Sequence, residues 1–137
     1  MGLALIDVVG MQLLNEEHGH VAGDSALQCV AAAIPRTEPH EWMSRYGGDE
    51  FAVVLAMSDP ADAREWAELA LERISARVER DLSITIGTRM GIAVGEPGWW
   101  PSDIYSQAIS PADAALAQAM RGDPPREVVV VEMSGDG

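Results

Sequence analysis

Apolar residues recur along this chain in two rhythms, as short extended runs and as longer segments at helical spacing. Residues 3–9, LALIDVV, form a short apolar run rich in branched side chains and predict a central strand. After MQLLNEEHGH, the segment VAGDSALQCVAAAIP predicts a helix that starts near Gly23 and Asp24, with Asp24 as a capping or first-turn acid, and stops at Pro35. Residues 41–46 and 50–57 predict two strands. The Gly47–Gly48 pair between them predicts a hairpin, because glycine accepts positive φ at both turn positions. The longest helical pattern, SDPADAREWAELALERISARVERD, has Ser58 or Asp59 as cap and Pro60 in its first turn. Trp66, Leu69, Ala70, Ile74, Arg77 and Val78 fall near one face of it, and Arg64 and Glu65 belong to the wet side. Residues 82–95 read as extended and residues 96–103 as a loop in which Trp99 and Trp100 cover the domain or meet a partner. SPADAALAQAMRG predicts a helix capped at Ser110 with Pro111 at its first position, REVVVVEM a last strand, and residues 134–137 a disordered tail.

The predicted order is β-α-α-β-β-α-β-α-β, a hairpin set inside an alternating pattern. That order argues an α/β chain of the α+β sandwich kind, a mixed sheet covered by helices rather than a doubly wound parallel sheet. The 137 residues suit one domain, over residues 1–133, able to bury roughly two thirds of its unfolded surface. No run approaches the ~18 apolar residues of a membrane span, and MGLALIDVV has the wrong flanks for a signal peptide. The single cysteine, Cys29, sits in an apolar run and reads as a core thiol in a reducing, cytoplasmic setting.

Charge narrows the partners. The net charge is −13, from 22 acids and 9 bases, and every base is arginine. Such a chain repels nucleic acid and anionic membranes, and repels nucleoside triphosphates too unless a metal intervenes. Asp7 is the one acid in the first strand, where an ionised carboxylate is costly without a partner or a cation. The hairpin brings Asp49 and Glu50 nearby; strand alternation points them to opposite sides, so only one shares Asp7's direction. Carboxylates converging at a strand end suit Mg²⁺, with waters and phosphate oxygens completing the shell. The plainer alternative is that Asp49 and Glu50 decorate a hairpin tip and Asp7 caps a neighbour. Asn15 and Asp24 together could read the edge of a guanine; singly, each is a common cap or turn former.

RYGGDEF at residues 45–51 resembles the name-giving motif of the GGDEF family, the diguanylate cyclases. LALIDVVGMQLLNEEHGHVAGDSAL resembles that family's first strand and helices, with Asn15, Gly19, His20, Gly23 and Asp24 in register; MGIAVG resembles a later strand and SPADAALAQAM its Ala-Asp-x-Ala-Leu helix. The resemblance implies a fold like a polymerase palm or adenylyl cyclase core. It implies a homodimer that condenses two GTP into cyclic di-GMP and two pyrophosphates with Mg²⁺ or Mn²⁺. Asp7, Asp49, Glu50 and the Val8 carbonyl would hold the metal. Glu50, with Asp49, would be catalytic, Glu50 acting as ligand or as base toward the ribose 3′-OH. Asn15 and Asp24 would hold the guanine, and Gly47 and Gly48 would let the backbone approach the phosphates. An upstream sensory or regulatory domain is the usual partner of such a module.

The chain departs from the family pattern at particular positions. Val9 stands where the family has a second Asp, Met11–Gln12 where it has Phe-Lys, and Met120 at a further Lys. Arg89 replaces a serine. Charge-assisted hydrogen bonds to phosphate are thereby lost at Gln12 and Met120, and Arg121 or Arg89 is left to replace one. The stretch Glu38-Pro39-His40-Glu41 occupies the place of the family's inhibitory Arg-x-x-Asp, so no inhibitory site is expected. Two readings follow: a slow diguanylate cyclase, or a degenerate GGDEF module that binds GTP or another protein without catalysis.

Overall fold

The computed structural model describes residues 1–35, 43–45, 48–95, 104–122 and 127–133, and the side chains of all of these except 104–107. Among the described residues, five strands and four helices follow in the predicted order: β1 Gly2–Val9, α1 Met11–His18, α2 His20–Ala33, β2 Met43–Arg45, β3 Glu50–Leu55, α3 Pro60–Leu82, β4 Gly87–Gly95, α4 Ile104–Arg121 and β5 Val128–Met133. The strands form one sheet in the order β2-β3-β1-β4-β5. β1 runs antiparallel to both β3 and β4, β2 is antiparallel to β3, and β5 is parallel to β4. The parallel β4–β5 pair makes an otherwise antiparallel sheet mixed. Gly47, the first glycine of its turn, lies outside the described residues, as do Trp99, Trp100 and residues 38–41.

β1 is the middle strand, and its residues from Gly2 to Val8 are all buried. That explains its unbroken apolar run, since both faces of the strand are covered. Ala4, Ile6 and Val8 join the larger core beneath α2 and α3, with Val30, Trp66 and Ile74. Leu3 and Leu5 point the other way, to Ala108, Ala112 and Leu116 of α4. Asp7 continues this second row, so the strand delivers its carboxylate to the α4 side of the sheet.

α4 lies unusually close to the sheet. A Cβ at Gly91 on β4 would stand 2.1 Å from the Leu116 nitrogen and 2.4 Å from the Ala112 oxygen. Only glycine lets the helix backbone rest on the strand there. The helix begins at Ile104, so Ser110 is not its cap and Pro111 lies inside it. An interior proline forfeits one backbone bond and strains the preceding turn, at about 3 kcal/mol. Burial of Ala108 and Ala112 on either side of it favours continuing the helix nevertheless.

Two further boundaries move. α2 begins at His20, directly after Gly19, whose φ of 87° separates it from α1 while the Gly19 N–H still donates to the Asn15 carbonyl at 2.8 Å. Asp24 thus sits one turn inside the helix rather than at its cap. α3 runs on to Leu82, where Ser83 adopts the left-handed conformation and ends it, so the extended segment starts later, as β4 at Gly87. Asp59 is the α3 cap, its side chain accepting from the Ala61 N–H at 2.8 Å. Of the face assigned to α3, Trp66, Ala70, Ile74 and Val78 are buried, whereas Leu69 is exposed and Arg77 pairs with Asp81 at 2.7 Å. Cys29 is half-buried rather than enclosed, its Sγ 4.0 Å from Asp81. Among the described residues no helix is long and apolar enough to cross a membrane.

Candidate functional site

The site gathers at the end of β1. Asp7 is directly opposite Glu50 on β3 and Arg89 on β4. Opposed residues in antiparallel strands share a face, so these three form one row beneath α4. Glu50 is thus the acid that faces with Asp7. Asp49 precedes it, and its carbonyl accepts the Val8 N–H at 3.0 Å, which ties the turn to the strand end.

Asp7 is only 8% exposed, and no described hydrogen bond or ion pair reaches its carboxylate. Burial pushes its pKa up to about 6, and the charges of Asp49 and Glu50 push in the same direction. Glu50 is also raised, by burial first, then by Asp113 on α4 and by Asp49. Arg89 does not relieve them: its guanidinium donates to the Thr88 carbonyl at 3.1 Å. The result is an uncompensated set of oxygen ligands, the donor type a hard divalent cation takes. Among the described residues, no three acids, histidines or cysteines stand close enough to enclose a metal unaided. Water and substrate oxygens would have to complete the shell.

Beside this cluster, α1, α2 and the β2–β3 turn enclose a groove of about 560 Å³ whose walls include Gln12, Asn15, Asp24, Arg45, Gly48 and Asp49. Asn15 and Asp24 both line it although they lie on different helices. The Asn15 Oδ1 is buried with no hydrogen-bond partner. A Cβ at Gly23 would stand 1.8 Å from that oxygen, so glycine is what lets α2 close over the amide. Gln12 bonds along α1 to Glu16 at 3.4 Å. Arg121 is exposed at the end of α4, makes no ion pair among the described residues and is not part of the groove wall.

Three residues escaped the sequence reading. Asp113 was visible only as a motif letter, because its approach to Glu50 depends on α4 crossing the sheet. His20, named in the sequence as a position in register with the family motif, lies on the groove wall. Arg45 is in register with Phe51 across the hairpin and also lines the groove; its place just before the glycine pair was the available signal.

A model of the family described as diguanylate cyclase, GGDEF domain, matches residues 1–123. The diguanylate cyclase DosC of Escherichia coli is 29% identical over 131 residues, covering 88% of this chain and 26% of that protein. The bifunctional diguanylate cyclase/cyclic di-GMP phosphodiesterase MucR of Pseudomonas aeruginosa is 32% identical over 119 residues, covering 83% of this chain and 16% of that protein. The chain thus spans about a quarter or less of the length of these curated relatives. Among solved structures, the GGDEF domain of DgcB from Caulobacter crescentus, in complex with c-di-GMP, aligns with a TM-score of 0.76 at 27% identity, over 99% of this chain and 78% of that one. The active GGEEF domain of a diguanylate cyclase from Vibrio cholerae aligns at 0.78 and 24% identity, over 97% and 83%, and speaks for the fold alone. The mixed five-stranded sheet with its four helices is the fold of these structures, the palm or cyclase-like α+β arrangement.

Proposed function

The chain belongs to the GGDEF, or diguanylate cyclase, domain family, and on that premise we propose that it binds GTP with Mg²⁺ and, as a homodimer, slowly condenses two GTP into cyclic di-GMP and two pyrophosphates. The observation that carries this reading is Asp7, a buried carboxylate facing Glu50 with no described base bonded to it, while the neighbouring Asp49 lines a groove walled by Asn15 and Asp24. In this reading Asp7, Asp49 and Glu50, with the Val8 carbonyl, hold the cation. Bound there, Mg²⁺ or Mn²⁺ would neutralise phosphate charge and acidify a coordinated hydroxyl.

The protein groups have separable tasks. Asp24 offers two acceptor oxygens, and Asn15 an unpartnered one. Guanine presents N1–H and 2-amino donors on one edge, where adenine presents an acceptor, so the pair favours GTP over ATP. Glu50, the hairpin acid that faces with Asp7, is the carboxylate placed to act as base. It takes the proton of the ribose 3′-OH as that oxygen bonds to the α-phosphorus of the GTP on the second protomer, and pyrophosphate leaves. Gly48, with Gly47, keeps the turn free of side chains where phosphate approaches. One groove holds one nucleotide, so closing the ring requires two chains related by a two-fold axis. The relatives are several times longer, which supports control by further domains, in the cytoplasm where GTP is available.

Gln12 and Met120 favour a second reading, because each puts a neutral side chain where the family resemblance predicts a phosphate-binding lysine. In it the chain is a regulatory module that binds GTP or a protein without turnover. Incubation with GTP and Mg²⁺ at high protein concentration, with Glu50→Ala as control, separates the two. Cyclic di-GMP and pyrophosphate from the unaltered chain alone support catalysis; their absence leaves the regulatory reading.

A further inference from the structure

One cationic side chain in the groove has no part in the chemistry above. Arg45 ends β2. Among the described arginines it alone lines the groove that holds Asn15, Asp24 and Asp49. Arg77 and Arg80 are held by Asp81 at 2.7 and 2.9 Å. Arg89 is turned to the Thr88 carbonyl, and Arg64 lines a separate hollow between α3 and β5 with Glu68 and Glu127. Arg73 and Arg121 are exposed on α3 and at the end of α4.

Among the described residues Arg45 also has no ion-pair partner. In a chain with 22 acids against 9 bases, no described carboxylate comes within 4.0 Å of its guanidinium, although Asp24 and Asp49 share its groove. Its described bond is to the Gly48 carbonyl, which anchors the group against the turn leading to Asp49. A guanidinium has five N–H donors in a planar fork, so one anchored donor leaves others free for the paired oxygens of a phosphate. The side chain is exposed and forms part of the wall of a second, adjoining hollow of about 310 Å³ with Asp24, Gln28 and Phe51. The acids that line these hollows, Glu16, Asp24 and Asp49, form no ion pair with it.

We propose that Arg45 is the phosphate-binding base of this chain. It takes the triphosphate of the nucleotide whose base Asn15 and Asp24 hold, a charge that Gln12 and Met120 do not supply. The proposal rests on the nucleotide reading given above, and it moves the phosphate contact from Arg121 and Arg89 to β2.

NMR titrations of the chain with GTP, guanosine and inorganic tripolyphosphate, each with Mg²⁺, test it in the unaltered protein, Arg45→Ala, Arg45→Lys and Arg121→Ala. Arg45→Ala is expected to weaken GTP and tripolyphosphate by about 10- to 100-fold and guanosine by less than about twofold. Arg45→Lys restores part of the loss, and Arg121→Ala changes nothing. Mg²⁺ binding without nucleotide stays the same in Arg45→Ala, which excludes a role limited to holding the turn. GTP affinity unchanged in Arg45→Ala, or lowered equally with guanosine, overturns the assignment while the GTP reading stands. Tripolyphosphate binding that needs Arg45, without any guanosine binding, keeps Arg45 and removes the guanine site. A chain that binds neither GTP nor tripolyphosphate removes both.

Discussion

Asp7 and Glu50 stand directly opposite each other on β1 and β3, two carboxylates on one face of the sheet, with no described base bonded to either. Like charges so placed oppose folding. Asp7→Asn keeps the shape and removes the charge. In chelator, at neutral pH, this variant is expected to be more stable than the unaltered chain by about 1–2 kcal/mol, a figure reduced from the full shift to allow for solvent screening. Urea melts measure it. Under the proposed cyclase reading, the same variant is expected to form no cyclic di-GMP. A destabilised Asp7→Asn would mean that the carboxylate is satisfied within the fold and has no need of a cation.

The same pair sets a pH dependence. The Asp7 pKa rises from 3.8 unfolded to about 6 folded, so between these values the folded chain holds a proton that the unfolded chain releases. Its contribution to stability is therefore most favourable at low pH, falls as pH climbs from about 4 to about 6, and is flat above. Glu50 shifts in the same direction and adds to the trend. A bound cation must displace these protons. The rise in Tm on adding Mg²⁺ should thus be small near pH 5 and larger at about pH 7.5. An equal rise at both values would place the cation elsewhere.

Much of this architecture could be read from side-chain rhythm. The unbroken run of β1 and the Asp59–Pro60 start of α3 each have a local physical cause, and each held; β2 and β3 also pair as a hairpin, but Gly48 has no positive φ and Gly47 lies outside the described residues. The misplaced boundaries were set by distant contacts. Pro111 reads as a helix start because its ring suits that position; α4 extends through it because Ala108 and Ala112 are buried on Leu3 and Leu5 of the sheet. Asp24 reads as a cap because Asp is good at capping, yet Gly19 supplies the break. At the site, alternation correctly allowed only one hairpin acid to face with Asp7. Asp113 was out of reach, because the influence of its charge on Glu50 depends on how helix and sheet cross.

That crossing depends on Gly91. An added Cβ would meet the α4 backbone, at 2.1 Å from the Leu116 nitrogen and 2.6 Å from its Cα, and a helix backbone has no rotamer by which to yield. Gly91→Ala is expected to destabilise the chain by about 2–3 kcal/mol, read from the urea midpoint. An unchanged midpoint would show that α4 can lift from β4 at little cost.

Gly23→Ala should have the opposite profile. Its Cβ would meet the Asn15 side chain, at 1.8 Å from Oδ1 and 2.9 Å from Cγ, which are the far end of a group that can rotate away. Alanine is also favoured over glycine within a helix by about 0.5–1 kcal/mol, which offsets part of the strain. Stability should therefore change by less than about 1 kcal/mol. The amide, however, leaves its place beside Asp24. If Asn15 reads the base, affinity for guanosine and for GTP falls about tenfold, the loss of one buried hydrogen bond, while tripolyphosphate binding is untouched. Urea melts and NMR titration of the same preparation measure both halves. Unchanged guanosine affinity would remove Asn15 from the recognition site, and a large loss of stability would show that the amide is held too firmly by the helices to turn.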